Sequence, residues 1–124
     1  MSEEQIRLPQ MREEVVSAVR ALADPEYQKR VWIERKYPNP DYFDDFTLNV
    51  NILGDATVLD NPYAAIGYTL ASEEEAQAMK GLSDRLLHII EEVGSESPDS
   101  AFLASPLWDG IAEAARNALE VMTQ

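Results

Sequence analysis

Carboxylates are the side chains of this sequence best suited to do chemistry, and five aspartates fall in its central part. Several carboxylate oxygens brought together could ligate a hard cation such as calcium or magnesium. The spacing does not match an EF-hand loop, which needs acids or amides at alternate positions, a central glycine and a terminal glutamate. We therefore predict no metal site at these aspartates, which are Asp41, Asp44, Asp45, Asp55 and Asp60.

Other catalytic groups are scarce in the chain. The one histidine, His88, has no second histidine to form a metal pair, and no cysteine supplies a thiolate. The five glycines are scattered and form neither a P-loop nor a GxGxxG motif, so nucleotide phosphates have no cradle. We predict no catalytic residue and no cofactor. The alternative is a small metal-dependent or carboxylate-based enzyme module that uses the same aspartates.

The charge of the chain favours protein binding over nucleic-acid binding. Ten Lys and Arg against 23 Asp and Glu give a net charge of −13, which repels phosphate backbones and anionic membranes and attracts basic partners. Aromatic side chains beside the aspartates could anchor a basic protein, because such groups often carry most of the binding energy. The predicted partner-binding residues are Tyr37, Asp41, Tyr42, Asp44, Asp45, Asp55 and Asp60.

The absence of cysteine, of a signal-peptide pattern and of a long apolar run indicates where in the cell the protein is located. Absence of cysteine fits a reducing compartment. The acidic first residues do not have the basic-then-apolar order of a signal peptide, and no uncharged apolar run is long enough to cross a bilayer. We expect a cytoplasmic protein.

Helical periodicity and proline-marked starts dominate the chain. Asp24-Pro25, Asn61-Pro62 and Ser105-Pro106 each place a capping residue before a proline at the first helical position. Ser72 and Glu75 form a capping box, which predicts a long helix that ends at Gly94. The predicted helices cover 10–23, 25 to about 36, a short segment 62–66, about 73–93, and a last helix that ends at about 122.

The segment 46–53 fits two patterns. Its apolar residues alternate with Thr47, Asn49 and Asn51, as in a half-buried strand, but Phe46, Val50 and Leu53 also follow helical spacing. We favour a helix capped by Asp41 or Asp44, because no second clear strand lies nearby to pair with it. The prediction is thus an all-α single domain, residues 10–122, with four to five amphipathic helices after a flexible lead-in, 1–9. An α+β domain with a hairpin at about 46–59 is the alternative.

Two further expectations concern surfaces. Four of the ten basic residues lie within 29–36, and we expect them either to pair with Asp41, Asp44 and Asp45 or to remain solvated on the helix surface. The last helix carries Trp108 and Met122, and a chain that packs this helix against a second copy would be a homodimeric scaffold.

The order of several short motifs resembles a family of small acidic bacterial proteins. The motifs are Ala23-Asp24-Pro25-Glu26-Tyr27-Gln28, Val31-Trp32, Asp44-Asp45, Asp60-Asn61-Pro62 with Ile66-Gly67, and Leu103-Ala104-Ser105-Pro106-Leu107-Trp108. This family includes immunity proteins of contact-dependent growth inhibition and uncharacterised actinobacterial relatives. The resemblance covers about residues 11–122 and implies a protein that neutralises a cationic toxin by direct binding. It implies no catalytic residues.

Overall fold

The chain is built from helices packed around a core of aliphatic and aromatic side chains. A computed structural model of the protein describes residues 6–123, and within this range it contains no β-strand. The predicted all-α single domain is confirmed, and the hairpin alternative is wrong. The helices are α1 (Pro9–Ala23), α2 (Pro25–Tyr27) followed by a π-helix (Gln28–Ile33), α3 (Phe46–Asp55), a 3₁₀ turn (Pro62–Ala65), α4 (Glu73–Val93), α5 (Asp99–Leu103) and α6 (Trp108–Met122).

Helix α1 ends at a junction that is fixed by side chains. Its apolar stripe, which includes Val15, Val19 and Leu22, is buried. The carboxylate of Asp24 accepts a hydrogen bond from the Tyr27 backbone N–H at 3.1 Å and so caps α2. The buried side-chain amide of Gln28 donates to two carbonyl oxygens in the last turn of α1, at 2.8 and 3.0 Å. These bonds satisfy acceptors that the end of an α-helix leaves open.

The second helical segment is shorter and wider than predicted. After Tyr27 it continues as a π-helix, in which the Glu34 N–H donates to the Lys29 carbonyl five residues earlier. Arg35 has a φ of 57°, a left-handed conformation that interrupts regular helix. The helix therefore ends at Ile33 rather than at about residue 36.

The segment 46–53, which fits both a helical and a strand pattern, is part of helix α3. Its N-cap is Asp45, whose carboxylate accepts a hydrogen bond from the Leu48 N–H at 2.7 Å. The predicted cap, Asp41 or Asp44, is wrong. Phe46, Asn49 and Leu53 share the buried face of the helix.

Helix α4 begins and ends where the sequence predicts. The Ser72 hydroxyl accepts a hydrogen bond from the Glu75 N–H at 3.2 Å. Gly94 follows the helix and has a φ of 108°, a backbone conformation that glycine adopts more easily than other residues. The Glu75 side chain does not return to the Ser72 N–H as in a standard capping box. It accepts instead from the Ala71 N–H at 2.7 Å and pairs with Arg12.

The ion pair between Arg12 and Glu75 joins three parts of the chain. Two guanidinium nitrogens of Arg12 contact the two carboxylate oxygens of Glu75 at 2.8 and 2.9 Å. The same guanidinium donates to the Thr69 carbonyl at 3.0 Å and to the Met122 carbonyl at 3.3 Å. The side chain of Glu75 is 8% exposed and that of Arg12 is 17% exposed. Helix α1, the start of α4 and the end of α6 are therefore linked through one buried pair.

An aromatic cluster fills the part of the core between the π-helix, α3, α5 and α6. Phe46 stacks on Phe102 with ring centroids 4.4 Å apart, and it meets Trp32 and Trp108 edge to face at 6.3 and 5.6 Å. Helix α6 packs against both α1 and α4. Trp108 and Met122, which the homodimeric scaffold alternative would use for contact with a second copy, are buried within this one chain.

Part of the expected N-terminal lead-in is packed on the domain. Residues 1–5 lie outside the described residues. Ile6 is buried, the Arg7 N–H donates to the Gly67 carbonyl at 3.0 Å, and the Leu8 N–H donates to the Tyr68 carbonyl at 2.9 Å. Among the helices described, none combines the length and the apolar character needed to span a membrane.

Candidate functional site

A buried carboxylate lies at the centre of the site that the structure points to. Asp44 is 7% exposed, although it directly precedes the cap of α3. One of its oxygens accepts hydrogen bonds from the Tyr27 hydroxyl at 2.7 Å and from the Trp32 indole N–H at 2.9 Å. The other accepts from the Asn49 side-chain amide at 2.9 Å. Three neutral donors thus hold one carboxylate that we predicted to be at the surface.

Two tyrosines extend this network toward solvent. The Tyr27 and Tyr42 hydroxyls are hydrogen-bonded to each other. Because Tyr27 has one hydroxyl proton and donates it to Asp44, Tyr42 is the donor in this bond. Burial raises the pKa of the Tyr27 hydroxyl far above its usual range, and the hydrogen bond that this hydroxyl donates to Asp44 raises it further. Tyr27 therefore stays protonated and keeps its donor role.

Local structure explains why these side chains meet. Asp45 caps α3, so the preceding residue, Asp44, lies just outside the helix and beside its first turn. Asn49 is on the buried face of that turn and also donates to the Asp45 carbonyl at 2.8 Å. The π-helix places Trp32 inside the core, where its indole N–H needs an acceptor. Asp44 supplies that acceptor.

A cleft of about 220 Å³ opens beside this network, between α1 and α3. We call it the Tyr27 cleft. Tyr27, Tyr42, Asp44 and Asn49 bring polar atoms and aromatic rings to it, and its other lining residues are Ser17, Arg20, Ala21, Asp24 and Ile52. Its charged lining groups are thus one cation and two carboxylates.

An aromatic surface lies next to the cleft and shares Tyr42 with it. The Tyr37 ring lies 6.0 Å from the Tyr42 ring and 6.2 Å from the Phe43 ring, measured between centroids. Phe43 is 53% exposed, and the other two rings are half-buried. We call these three residues the aromatic patch. Asn39 holds the loop in shape, because its side chain accepts from the Asp41 N–H at 3.0 Å.

The structure brings together only some of the predicted partner-binding residues. Tyr37, Tyr42 and Asp44 are connected through the aromatic patch and the Tyr27 hydroxyl, and Asp41 is exposed in the same loop. Asp55 is exposed at the far end of α3, about 15 Å from the helix start at 1.5 Å per residue.

The remaining predicted residues have other positions or roles. The carboxylate of Asp45 caps α3 by accepting a hydrogen bond from the Leu48 N–H. Asp60 is exposed in the loop before the 3₁₀ turn.

Of the two outcomes expected for the basic residues in 29–36, pairing with these aspartates is not seen among the described residues. Within residues 6–123 the ion pairs are Arg12 with Glu75, Lys36 with Glu34, and Lys80 with Asp84. Arg30 instead lies over the Tyr27 ring, 5.8 Å from its centroid. Asp44 is therefore held by neutral donors, without an ion pair.

Three members of the site were missed at the sequence level: Tyr27, Trp32 and Asn49. A signal was present for Asn49, because it falls on the same helical stripe as Phe46 and Leu53. A polar residue on a buried stripe needs a hydrogen-bonding partner inside the protein. For Tyr27 and Trp32, tertiary packing determines the hydrogen-bonding partner, and the spacing of residues in the sequence does not predict it.

A second group of potential ligand atoms lies on α4, far along the chain from this site. The ligand atoms of His88, Glu91 and Glu92 lie within 4.8 Å of one another, and all three side chains are exposed. Exposed acidic groups commonly cluster in this way on a solvated helix face. Asp84, one turn before His88 on the same helix, is paired with Lys80 at 3.2 Å.

Comparison with known proteins gives a family but no activity. No curated protein and no solved structure matches the chain. Residues 6–124 match the model of a family described as a domain of unknown function, DUF7945. This match covers every helix from α1 to α6 and therefore all residues of the site. The chain therefore belongs to the DUF7945 family.

Proposed function

We propose that this protein is a non-catalytic binding domain and that the aromatic patch is its main contact with a basic protein partner. The observation that carries the proposal is the exposure of Phe43, which is 53% exposed and rests against Tyr37. An aromatic side chain that is held in place before binding loses little entropy on binding. Such residues are frequent hot spots of protein interfaces.

The contacts beneath the aromatic patch support a preformed surface. Tyr42 is tied to Tyr27, and Tyr27 to the buried Asp44, so the loop is anchored to the core directly next to Phe43. The Tyr42 N–H also donates to the Asn39 carbonyl at 3.1 Å. A loop anchored in this way presents its aromatic side chains in one arrangement.

Charge supports a basic partner. The net charge of −13 attracts cationic proteins over long distance and speeds their association. Asp41 is exposed beside the aromatic patch, and Asp55 and Asp60 add negative charge further along the same part of the chain. The partner surface is expected to carry Lys or Arg around an apolar centre.

The resemblance to immunity proteins gives a finer form of the proposal. In that form the basic partner is a toxin, and binding blocks it. The protein encoded beside this chain is then the first partner to test, because toxins and their antidotes are usually encoded together.

The test is isothermal titration of the neighbouring gene's product with the wild type and two matched variants. Phe43→Ala removes the centre of the aromatic patch, and Leu87→Ala removes a side chain on α4 that is 42% exposed. We expect Phe43→Ala to weaken binding at least tenfold, about 1.4 kcal/mol, as for a hot-spot residue. Leu87→Ala should bind as the wild type does.

Salt gives a second readout of the same titration. Raising the salt concentration should weaken wild-type binding, because screening reduces the attraction between the acidic domain and a basic partner. Equal effects of Phe43→Ala and Leu87→Ala would refute the aromatic patch as the contact. Affinity that is unchanged by salt would refute a partner recognised by its positive charge.

A further inference from the structure

Within residues 6–123, no cation forms an ion pair with Asp44, the buried carboxylate of the Tyr27 cleft. Asp44 is 7% exposed, and its donors, Tyr27, Trp32 and Asn49, are all neutral. Buried carboxylates are usually paired with a cation, because hydrogen bonds alone offset only part of the cost of removing the charge from water. A cation that enters the cleft would therefore find a favourable position.

The hydrogen-bonding capacity of the network leaves room for such a cation. A carboxylate offers about four acceptor sites, and the three donors to Asp44 leave one of them on the oxygen that Asn49 contacts. The Tyr42 hydroxyl donates its proton to Tyr27, so its oxygen can accept a further bond. Two acceptors are thus available to an incoming group that has only donors, as an ammonium or guanidinium does.

The rings that line the cleft suit the same kind of group. Tyr27 and Tyr42 both border the cleft, and aromatic faces attract cations. The Arg30 guanidinium already lies 5.8 Å from the centroid of the Tyr27 ring, so this ring is in use as a cation contact. The lining also includes one cation, Arg20, and a second carboxylate, Asp24, so the lining charges sum to an excess of negative charge.

The size of the cleft limits what can occupy it. Its volume is about 220 Å³, below the roughly 300–1,000 Å³ of pockets that enclose a whole small molecule. A single long side chain is a better match than a complete metabolite. Because the cleft shares Tyr42 with the aromatic patch, a side chain from a protein docked on the patch can reach it.

We propose that the Tyr27 cleft binds one Lys or Arg side chain of the basic partner, with the cationic group directed at Asp44 and Tyr42. This inference rests on the proposed function and adds the specificity-determining contact to it. The aromatic patch supplies apolar contact area, and the cleft selects a partner that carries a basic residue at the matching position.

The test uses single-residue probes, so it does not require the partner. The probes are the acetylated and amidated forms of arginine and of citrulline, which has nearly the same shape as arginine but no charge. Two-dimensional NMR follows the Trp32 indole N–H and the Asn49 side-chain amide, because both donate to Asp44. We expect the arginine probe to give saturable shifts at millimolar concentration, and citrulline to bind at least tenfold more weakly.

Two variants locate the binding. Asp44→Asn removes the charge, and Ser17→Trp places a large side chain at an exposed position on the wall of the cleft, away from the hydrogen bonds of Asp44. Each should weaken the arginine probe at least tenfold. Gln10→Trp, two turns earlier on the same helix and also exposed, is the matched control and should have no effect.

The outcomes separate this inference from the proposed function. Equal shifts with arginine and citrulline, or retained binding in folded Ser17→Trp, would overturn the cleft as a cation site. If Phe43→Ala weakens the complex with the partner but Ser17→Trp does not, then the aromatic patch binds and the cleft does not. If neither variant weakens that complex, both proposals fail.

Discussion

Replacing either member of the Arg12 and Glu75 pair should destabilise the protein strongly. Removal of one partner from a buried ion pair typically costs about 3–5 kcal/mol, because the other charge remains in a poorly solvated place. Arg12 keeps 17% of its side-chain surface exposed and retains the Thr69 and Met122 carbonyls as acceptors. We therefore expect the lower end of the range, about 3 kcal/mol, for Glu75→Met, which leaves Arg12 in place. Arg12→Met leaves Glu75 with the Ala71 N–H as donor and should cost about the same.

The double variant tests whether the cost of each single variant comes from the unpaired charge that it leaves behind. With both charges replaced by Met, no charge is left buried, but the Ala71 N–H and two carbonyls lose hydrogen bonds worth about 1 kcal/mol each. The double variant should thus also cost about 3 kcal/mol, compared with about 6 kcal/mol if the two single effects were independent.

Urea unfolding measures these free energies directly. Trp32 and Trp108 are 3% and 6% exposed, so their fluorescence should report the loss of the core. With a slope of about 2 kcal/mol per molar urea, each single variant should lower the midpoint by about 1.5 M.

The control is Lys80→Met, which removes the pair with Asp84, where the side chains are 53% and 60% exposed. Its cost should be about 0.5 kcal/mol or less. Single variants at the buried pair that cost no more than this control would refute the reasoning. A double variant whose cost equals the sum of the two single costs would do the same.

Three further predictions test the core and two titrating groups. Phe46→Ala, which removes the ring stacked on Phe102 at 4.4 Å, should cost about 3–5 kcal/mol in urea unfolding and reduce the near-ultraviolet circular dichroism of the tryptophans. The raised pKa of Tyr27 means that the folded state holds this proton more tightly than the unfolded chain, so stability should fall as pH rises above about 10. In Tyr27→Phe this loss of stability at alkaline pH should be smaller. Absorbance at 295 nm, which measures tyrosine ionisation, should show one tyrosine in the wild type that ionises only on unfolding, and this tyrosine should be missing from the variant. Burial raises the pKa of Asp99, although the hydrogen bond from the Phe46 N–H opposes the shift, so its contribution to stability is present at low pH and lost as pH rises through the folded value. Asp99→Asn should therefore raise the melting temperature at neutral pH, and an unchanged or lower value would contradict this assignment.

Helix α4 could be predicted from sequence because its two ends are set by local chemistry. Ser72 and Gly94 act on the backbone within one turn, so spacing alone reveals both ends of α4. The segment 46–53 was harder because its apolar residues satisfy two periods at once. Asp45 decides the outcome by capping the helix, and the sequence offers neighbouring aspartates that look equally suitable.

The candidate site depends on distances along the chain that no local pattern records. Asp44 meets Tyr27, which is seventeen positions earlier, and Trp32, which is twelve earlier. A short aspartate-rich segment is ordinarily solvated, so composition favoured an exposed acidic surface over a buried carboxylate. Burial of Asp44 follows only when the π-helix has placed the Trp32 indole in the core.

The π-helix has a consequence for how DUF7945 sequences should be aligned. A hydrogen-bonded ring that reaches five residues back contains one residue more than an α-helical ring. A family member with one residue fewer within 25–33 could form a regular α-helix and keep its tyrosine and tryptophan on the core side. We therefore expect a single-residue gap at 25–33 in the family alignment. Members without the gap would share the π-helix and the site built around Asp44, and members with it would have a regular α-helix there.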